Sequence, residues 1–75
     1  MKVTIYFKSV EGTTRITSCD LEVEEFRRLA ADYEGFIKEG KPAGGEYKYF
    51  EFNTISGFKV YKKIALDFES ISAIG

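Results

Sequence analysis

The sequence predicts an α+β fold: a single, mainly antiparallel sheet of four or five strands with one amphipathic helix packed on one face, in a single domain over residues 1–75. Period-two alternation marks both the start of the chain and its last third, while one central stretch carries apolar residues three and four apart. A chain of 75 residues supports one small core and buries only about 60% of its unfolded surface. With 44% hydrophobic residues against 31% charged, the composition is one that folds.

Val3, Ile5 and Phe7 alternate with Lys2, Thr4, Tyr6 and Lys8, which sends the aliphatic set to one face of a first strand. Val10 to Thr14 supplies a turn around Gly12, and Ile16 and Thr17 resume a β-prone run to Cys19, so the first unit is a hairpin. A two-residue Glu11-Gly12 turn sets Phe7 opposite Ile16, whereas a longer loop sets Ile5 opposite Cys19; the first register is favoured.

Val23, Phe26, Leu29, Ala30, Tyr33 and Ile37 form the stripe of an amphipathic helix, with glutamates, aspartate and arginines filling the other faces. Carboxylates crowd its first turn and Lys38 lies near its end, as the helix dipole favours. Asp20 is the better cap by residue type, and a start at Glu22 makes Leu21 and Phe26 a hydrophobic staple. Gly35 leaves two outcomes open: the helix tolerates it for close packing, or stops there and leaves Phe36 and Ile37 in a looser turn. Gly40 to Gly45, with Pro42, ends the helix in either case.

Glu46–Phe52 and Phe58–Ile64 are β-rich runs around the loop Asn53-Thr54-Ile55-Ser56-Gly57. With those five residues in the loop, Phe52 faces Phe58, Phe50 faces Val60, Tyr49 faces Tyr61, Glu51 faces Lys59 and Tyr47 faces Lys63. One side then collects Phe50, Phe52, Phe58 and Val60 for the core together with Val3, Ile5 and Phe7, and the other keeps Tyr47, Tyr49, Tyr61, Glu51, Lys59 and Lys63. The fourth strand runs on toward Leu66, Asp67 to Ser70 turns the chain, and Ile71–Ile74 forms a short last strand.

The opening Met1-Lys2-Val3-Thr4-Ile5-Tyr6-Phe7, the glutamate-rich helix and the ending Ile64 to Ile74 resemble short orphan proteins carried by phages, prophages and mobile elements of Gram-positive bacteria. The resemblance is one of layout over most of the chain. It implies a bacterial cytoplasmic setting and an accessory or host-interfering role, and it carries over no site residue.

Several chemistries lack their parts. The chain has no histidine and one cysteine, so it offers no zinc or transition-metal set and no intrachain disulfide, and a reducing cytoplasm fits it best. Neither a signal peptide nor a membrane span is expected, because no apolar run has the required length. No base stands ready to activate a nucleophile, and Cys19 beside Asp20 reads as a packed, inert thiol, so neither an enzyme nor a cofactor is expected. Gly40 to Gly45 follows a helix and precedes a strand, the reverse of the order that aims amides at a phosphate, and reads as a linker. Glu22, Glu24, Glu25 and Arg28 read as the wet face of the helix rather than as a cation site.

What remains is a surface. Tyrosines interleaved with lysines on a sheet also hold single-stranded nucleic acid, but the net charge of −1 opposes that use. The expected function is a non-enzymatic protein-interaction module that occupies a protein surface, foreign or a second copy of itself, through Tyr47, Tyr49, Tyr61, Glu51, Lys59 and Lys63. A nucleic-acid-binding module using the lysine and tyrosine face is the alternative.

Overall fold

The computed structural model describes all of residues 1–75 as β1 (Lys2–Phe7), β2 (Ile16–Asp20), α1 (Val23–Lys38), β3 (Tyr47–Ile55), β4 (Phe58–Leu66), a single 3-10 turn (Phe68–Ser70) and β5 (Ile71–Ile74). This is the expected α+β element order. The strands, however, divide into two sheets instead of one: a three-stranded antiparallel sheet of order β2-β1-β5, and a separate β3–β4 hairpin. β1 is thus the central strand, with the start and finish of the chain paired through Thr4 and Gly75.

Val3, Ile5 and Phe7 are buried as the alternation requires, and Cys19 is buried beside them. The Glu11-Gly12 turn is present, with positive φ at both residues, but neither expected register holds along the strands. Val3 faces Cys19 and Ile5 faces Thr17. Between the Phe7–Arg15 bond and the Val10–Thr13 bridge, Lys8 and Ser9 stand against Thr14 alone, and this extra residue shifts the pairing by one.

The helix starts at the later of the two positions, with Glu22 as N-cap. Leu21 is buried and Phe26 packs against the core, the two positions a hydrophobic staple uses. α1 continues through Gly35, although an added Cβ there would meet nothing within 4 Å, so close packing is not what the glycine serves. Phe36 is consequently helical and buried, and with Leu29 it sets the inner stripe, while Val23 and Ile37 stay exposed. Gly40, at φ +83°, closes the helix in a Schellman motif: Lys41 N–H donates to the Phe36 carbonyl and Gly40 N–H to that of Ile37.

In the second hairpin the five-residue loop shrinks to the two-residue turn Ser56-Gly57, with φ of 52° and 81°, the twist that a right-handed hairpin prefers. Asn53, Thr54 and Ile55 join the ladder, so Ile55 faces Phe58, Phe52 faces Tyr61, Glu51 faces Lys62, Phe50 faces Lys63 and Tyr49 faces Ile64. The change is by an odd number of residues, and an odd shift turns every side chain of one strand to the other face. Tyr47 and Tyr49 therefore lie on the inner face with Ile64 and Leu66, while Phe50 and Phe52 face outward.

The core contains none of the expected Phe50, Phe52, Phe58 or Val60; it is completed instead by Tyr49, Leu66, Phe68 and Ile71. Phe68 is its aromatic hub, stacked on Tyr47 at 3.8 Å between centroids and edge-on to Tyr33 at 5.3 Å. The 3-10 turn that delivers Phe68 is held by Asp67, whose carboxylate accepts from Glu69 N–H at 3.0 Å.

Candidate interaction surface

Beyond Tyr49 and Ile64 the inner face of the β3–β4 hairpin outruns the core. Ile55, Phe58 and Val60 lie on that face with nothing over them, and Phe58 is 73% exposed. The hairpin accordingly projects as an arm. The molecule measures 41 × 27 × 18 Å with a radius of gyration of 13.2 Å, against about 11 Å for a compact chain of this length.

The two long edges of the arm differ. In a hairpin closed by Ile55 and Phe58, alternate residues point their backbone groups away from the partner strand, here Lys48, Phe50, Phe52 and Thr54 of β3 and Lys59, Tyr61, Lys63 and Ala65 of β4. Near the base of β3 two of these groups are capped by α1: Arg28 donates to the Lys48 carbonyl at 2.7 Å, and Phe50 N–H donates to Glu25 Oε1 at 3.3 Å. Arg28 also pairs with Glu25 and lies over the Tyr49 ring at 4.3 Å. β4 pairs with β3 only, and its outer edge is open along its length.

On the outer face the cations sit over aromatic rings, Lys59 over Phe52 at 4.4 Å and Lys63 over Phe50 at 5.6 Å. Glu22 ties the arm to the start of the helix, accepting from Lys59 Nζ at 2.6 Å and from Tyr61 OH at 2.8 Å. Those two bonds hold the Glu22 carboxyl below its usual range, and the same carboxylate raises Lys59 and Tyr61 above theirs.

The six residues assigned to one face are thus split. Tyr49 is fully buried, donating to Asp32 Oδ2 at 2.9 Å, and burial followed by that bond raises its hydroxyl well above the normal tyrosine value. Tyr47 is half-buried against Phe68, and Glu51 stands on the inner face opposite Lys62 rather than Lys59. Only Tyr61, Lys59 and Lys63 share the outer face. Their expected cross-strand partners changed because the tighter turn changed the register. Sequence reasoning passed over Ile55, Phe58 and Val60 as contact residues, since the longer loop placed Ile55 outside the strands and turned the other two inward. The Ser56-Gly57 dipeptide, a favoured two-residue hairpin turn, was the available signal.

Cys19 is buried, and desolvation, then the Glu51 and Asp20 carboxylates, raise its thiol above the ordinary value, which disfavours the nucleophilic thiolate. A groove runs beside the base of β4, lined by Ile5, Phe7, Ile16, Ile64 and Leu66 among others, with a volume of about 350 Å³. No helix is long and apolar enough to cross a membrane. No family model matches the chain, and no curated protein and no solved structure matches it.

Proposed function

We propose that the chain is a non-enzymatic protein-interaction module that works by occupying a protein surface with the distal half of the β3–β4 arm. The observation that carries this reading is the run Ile55, Phe58 and Val60, apolar and uncovered at the end of a projecting hairpin. Leaving such side chains in water forgoes about 1.5–3 kcal/mol for each one fully buried, and contiguous exposed apolar patches on small proteins mark contact sites. The layout resemblance to mobile-element orphan proteins supports an accessory role for such a contact. Paired baits test the reading: Phe58→Glu should lose a protein that the unaltered chain retains, whereas Val10→Glu, at the other hairpin turn, should keep it. Retention of the same proteins by both variants rejects it.

A second reading is favoured by the outer face of the arm, where Lys48, Lys59 and Lys63 stand with Phe50, Phe52 and Tyr61 and neither strand contributes a carboxylate. This is the pattern of a single-strand nucleic-acid platform. Against it, Glu22 engages both Lys59 and Tyr61, and the chain carries a net charge of −1. Oligonucleotide binding that falls steeply with salt supports it, and no binding at low salt removes it.

A further inference from the structure

An open strand edge as long as β4 is a template for another strand, and proteins ordinarily cover, shorten or charge such edges. The helix covers the edge of β3 near its base, at Lys48 and Phe50, through Arg28 and Glu25, and leaves that of β4 bare from base to tip. β4 does carry Lys59, Lys62 and Lys63, which would normally discourage pairing. Two of these are already engaged, Lys59 by Glu22 and the Phe52 ring, Lys63 by the Phe50 ring. Lys62 stands directly opposite Glu51.

We infer that two copies of this chain pair through their β4 strands, antiparallel about a two-fold axis at Lys62, to form a continuous four-stranded sheet β3-β4-β4-β3. The inference rests on the arm being the contact surface. The outward backbone groups of β4 belong to Lys59, Tyr61, Lys63 and Ala65, so the axis must bring odd-numbered residues together. With the axis at Lys62, Lys59 exchanges both backbone hydrogen bonds with the partner's Ala65, and Tyr61 does so with the partner's Lys63. An axis at Tyr61 would instead set Lys59 against the partner's Lys63 twice over, and an axis at Lys63 would set the two Lys63 side chains against each other. Like charges directly opposite are destabilising; the Lys62 axis makes one such pair, beside Glu51, whereas axes at Val60 or Ile64 would set Lys62 against the partner's Phe58 or the partner's Leu66 and forgo the apolar pairs that the Lys62 axis makes.

The Lys62 register also resolves the one cation pair it creates. Across the sheet the row reads Glu51, Lys62, then the partner's Lys62 and the partner's Glu51, with each lysine flanked by its own carboxylate. On the same inner face, Val60 meets the partner's Ile64 and Phe58 meets the partner's Leu66. The exposed tip of each arm thereby lies along the base of the other, beside the groove lined by Phe7, Ile16, Ile64 and Leu66. The chain exposes 5139 Å², about a tenth more than the roughly 4,650 Å² of a compact monomer of 8.5 kDa.

Sedimentation from micromolar to submillimolar concentration tests the pairing. A monomer–dimer equilibrium is expected for the unaltered chain. Lys62→Glu should weaken it about tenfold or more, by placing four carboxylates in one row, and the swap Glu51→Lys with Lys62→Glu should restore it to within about threefold. In the unaltered protein, amide exchange at Tyr61 and Lys63 should slow as concentration rises, a readout that needs no variant to fold. A chain that stays monomeric throughout, or a Lys62→Glu variant that dimerises as tightly, overturns the inference. A monomer that still retains a foreign protein in a Phe58-dependent way overturns the pairing while leaving the arm as the contact surface.

Discussion

Glu22 shows how one side chain is turned to a task other than the local one. It is the N-cap of α1, yet its carboxylate makes no bond to the helix and instead receives Lys59 and Tyr61 from the arm. Because its folded pKa is depressed, the stabilisation is complete above the ordinary glutamate value of 4.5 and is lost as pH falls through the lowered one. Lys59 and Tyr61 are raised, so their share is complete below their ordinary values of 10.5 and 10.0 and is lost as pH rises through the raised ones. The arm should therefore be tied to the helix between about pH 4.5 and 10, and Glu22→Gln should flatten the acid side of that profile when the Tyr61 ring resonances are followed by NMR. Gly35 is a simpler case. It is helical, and nothing occupies the space of a Cβ, so Gly35→Ala should stabilise the protein by up to about 1 kcal/mol, read as a higher denaturant midpoint at unchanged slope.

At the scale of elements, the two hairpin turns decide more than their size suggests. Ser56 and Gly57 both sit at positive φ, so Gly57→Ala should cost about 1–2 kcal/mol, whereas Ser56→Asn, which favours that region, should stabilise the hairpin; denaturant titration distinguishes the two signs. Strands, helix and element order were legible because alternation and the three-four spacing are local properties of the chain. Register was not. The first hairpin hid a bulge at Lys8 and Ser9 that no residue type announces. In the second, a loop misjudged by three residues carried Tyr47 and Tyr49 from the outer face to the inner one. Of the candidate site, Tyr61, Lys59 and Lys63 kept a common face, and the apolar tip went unseen. Phe68 escaped notice for a related reason: it lies in a turn, where neither period applies, and only tertiary structure brings it onto Tyr47 and Tyr33.

Over the whole molecule, 11 of 75 residues are buried, so stability rests on few side chains. A chain of this length has about 4–11 kcal/mol of stability to lose. Tyr49→Ala removes a fully buried ring at the junction of helix, sheet and hairpin and, at about 3–5 kcal/mol, should take away a large share of that stability and lower the denaturation midpoint sharply. Phe58→Ala removes a ring of the same kind from the exposed end of the arm and should leave the denaturation midpoint of the dilute chain nearly unchanged. Circular dichroism on the two variants separates the part of the molecule that holds it together from the part that reaches outward.

The place of β1 between β2 and β5 sets the order of assembly. Its neighbour β2 lies close along the chain, but its other flank stays open until the distant segment Ile71–Ile74 reaches it, so the sheet cannot close from local contacts alone. Assembly has to wait for a contact between the most distant parts of the sequence, and such non-local closure slows folding relative to a helix bundle of equal length.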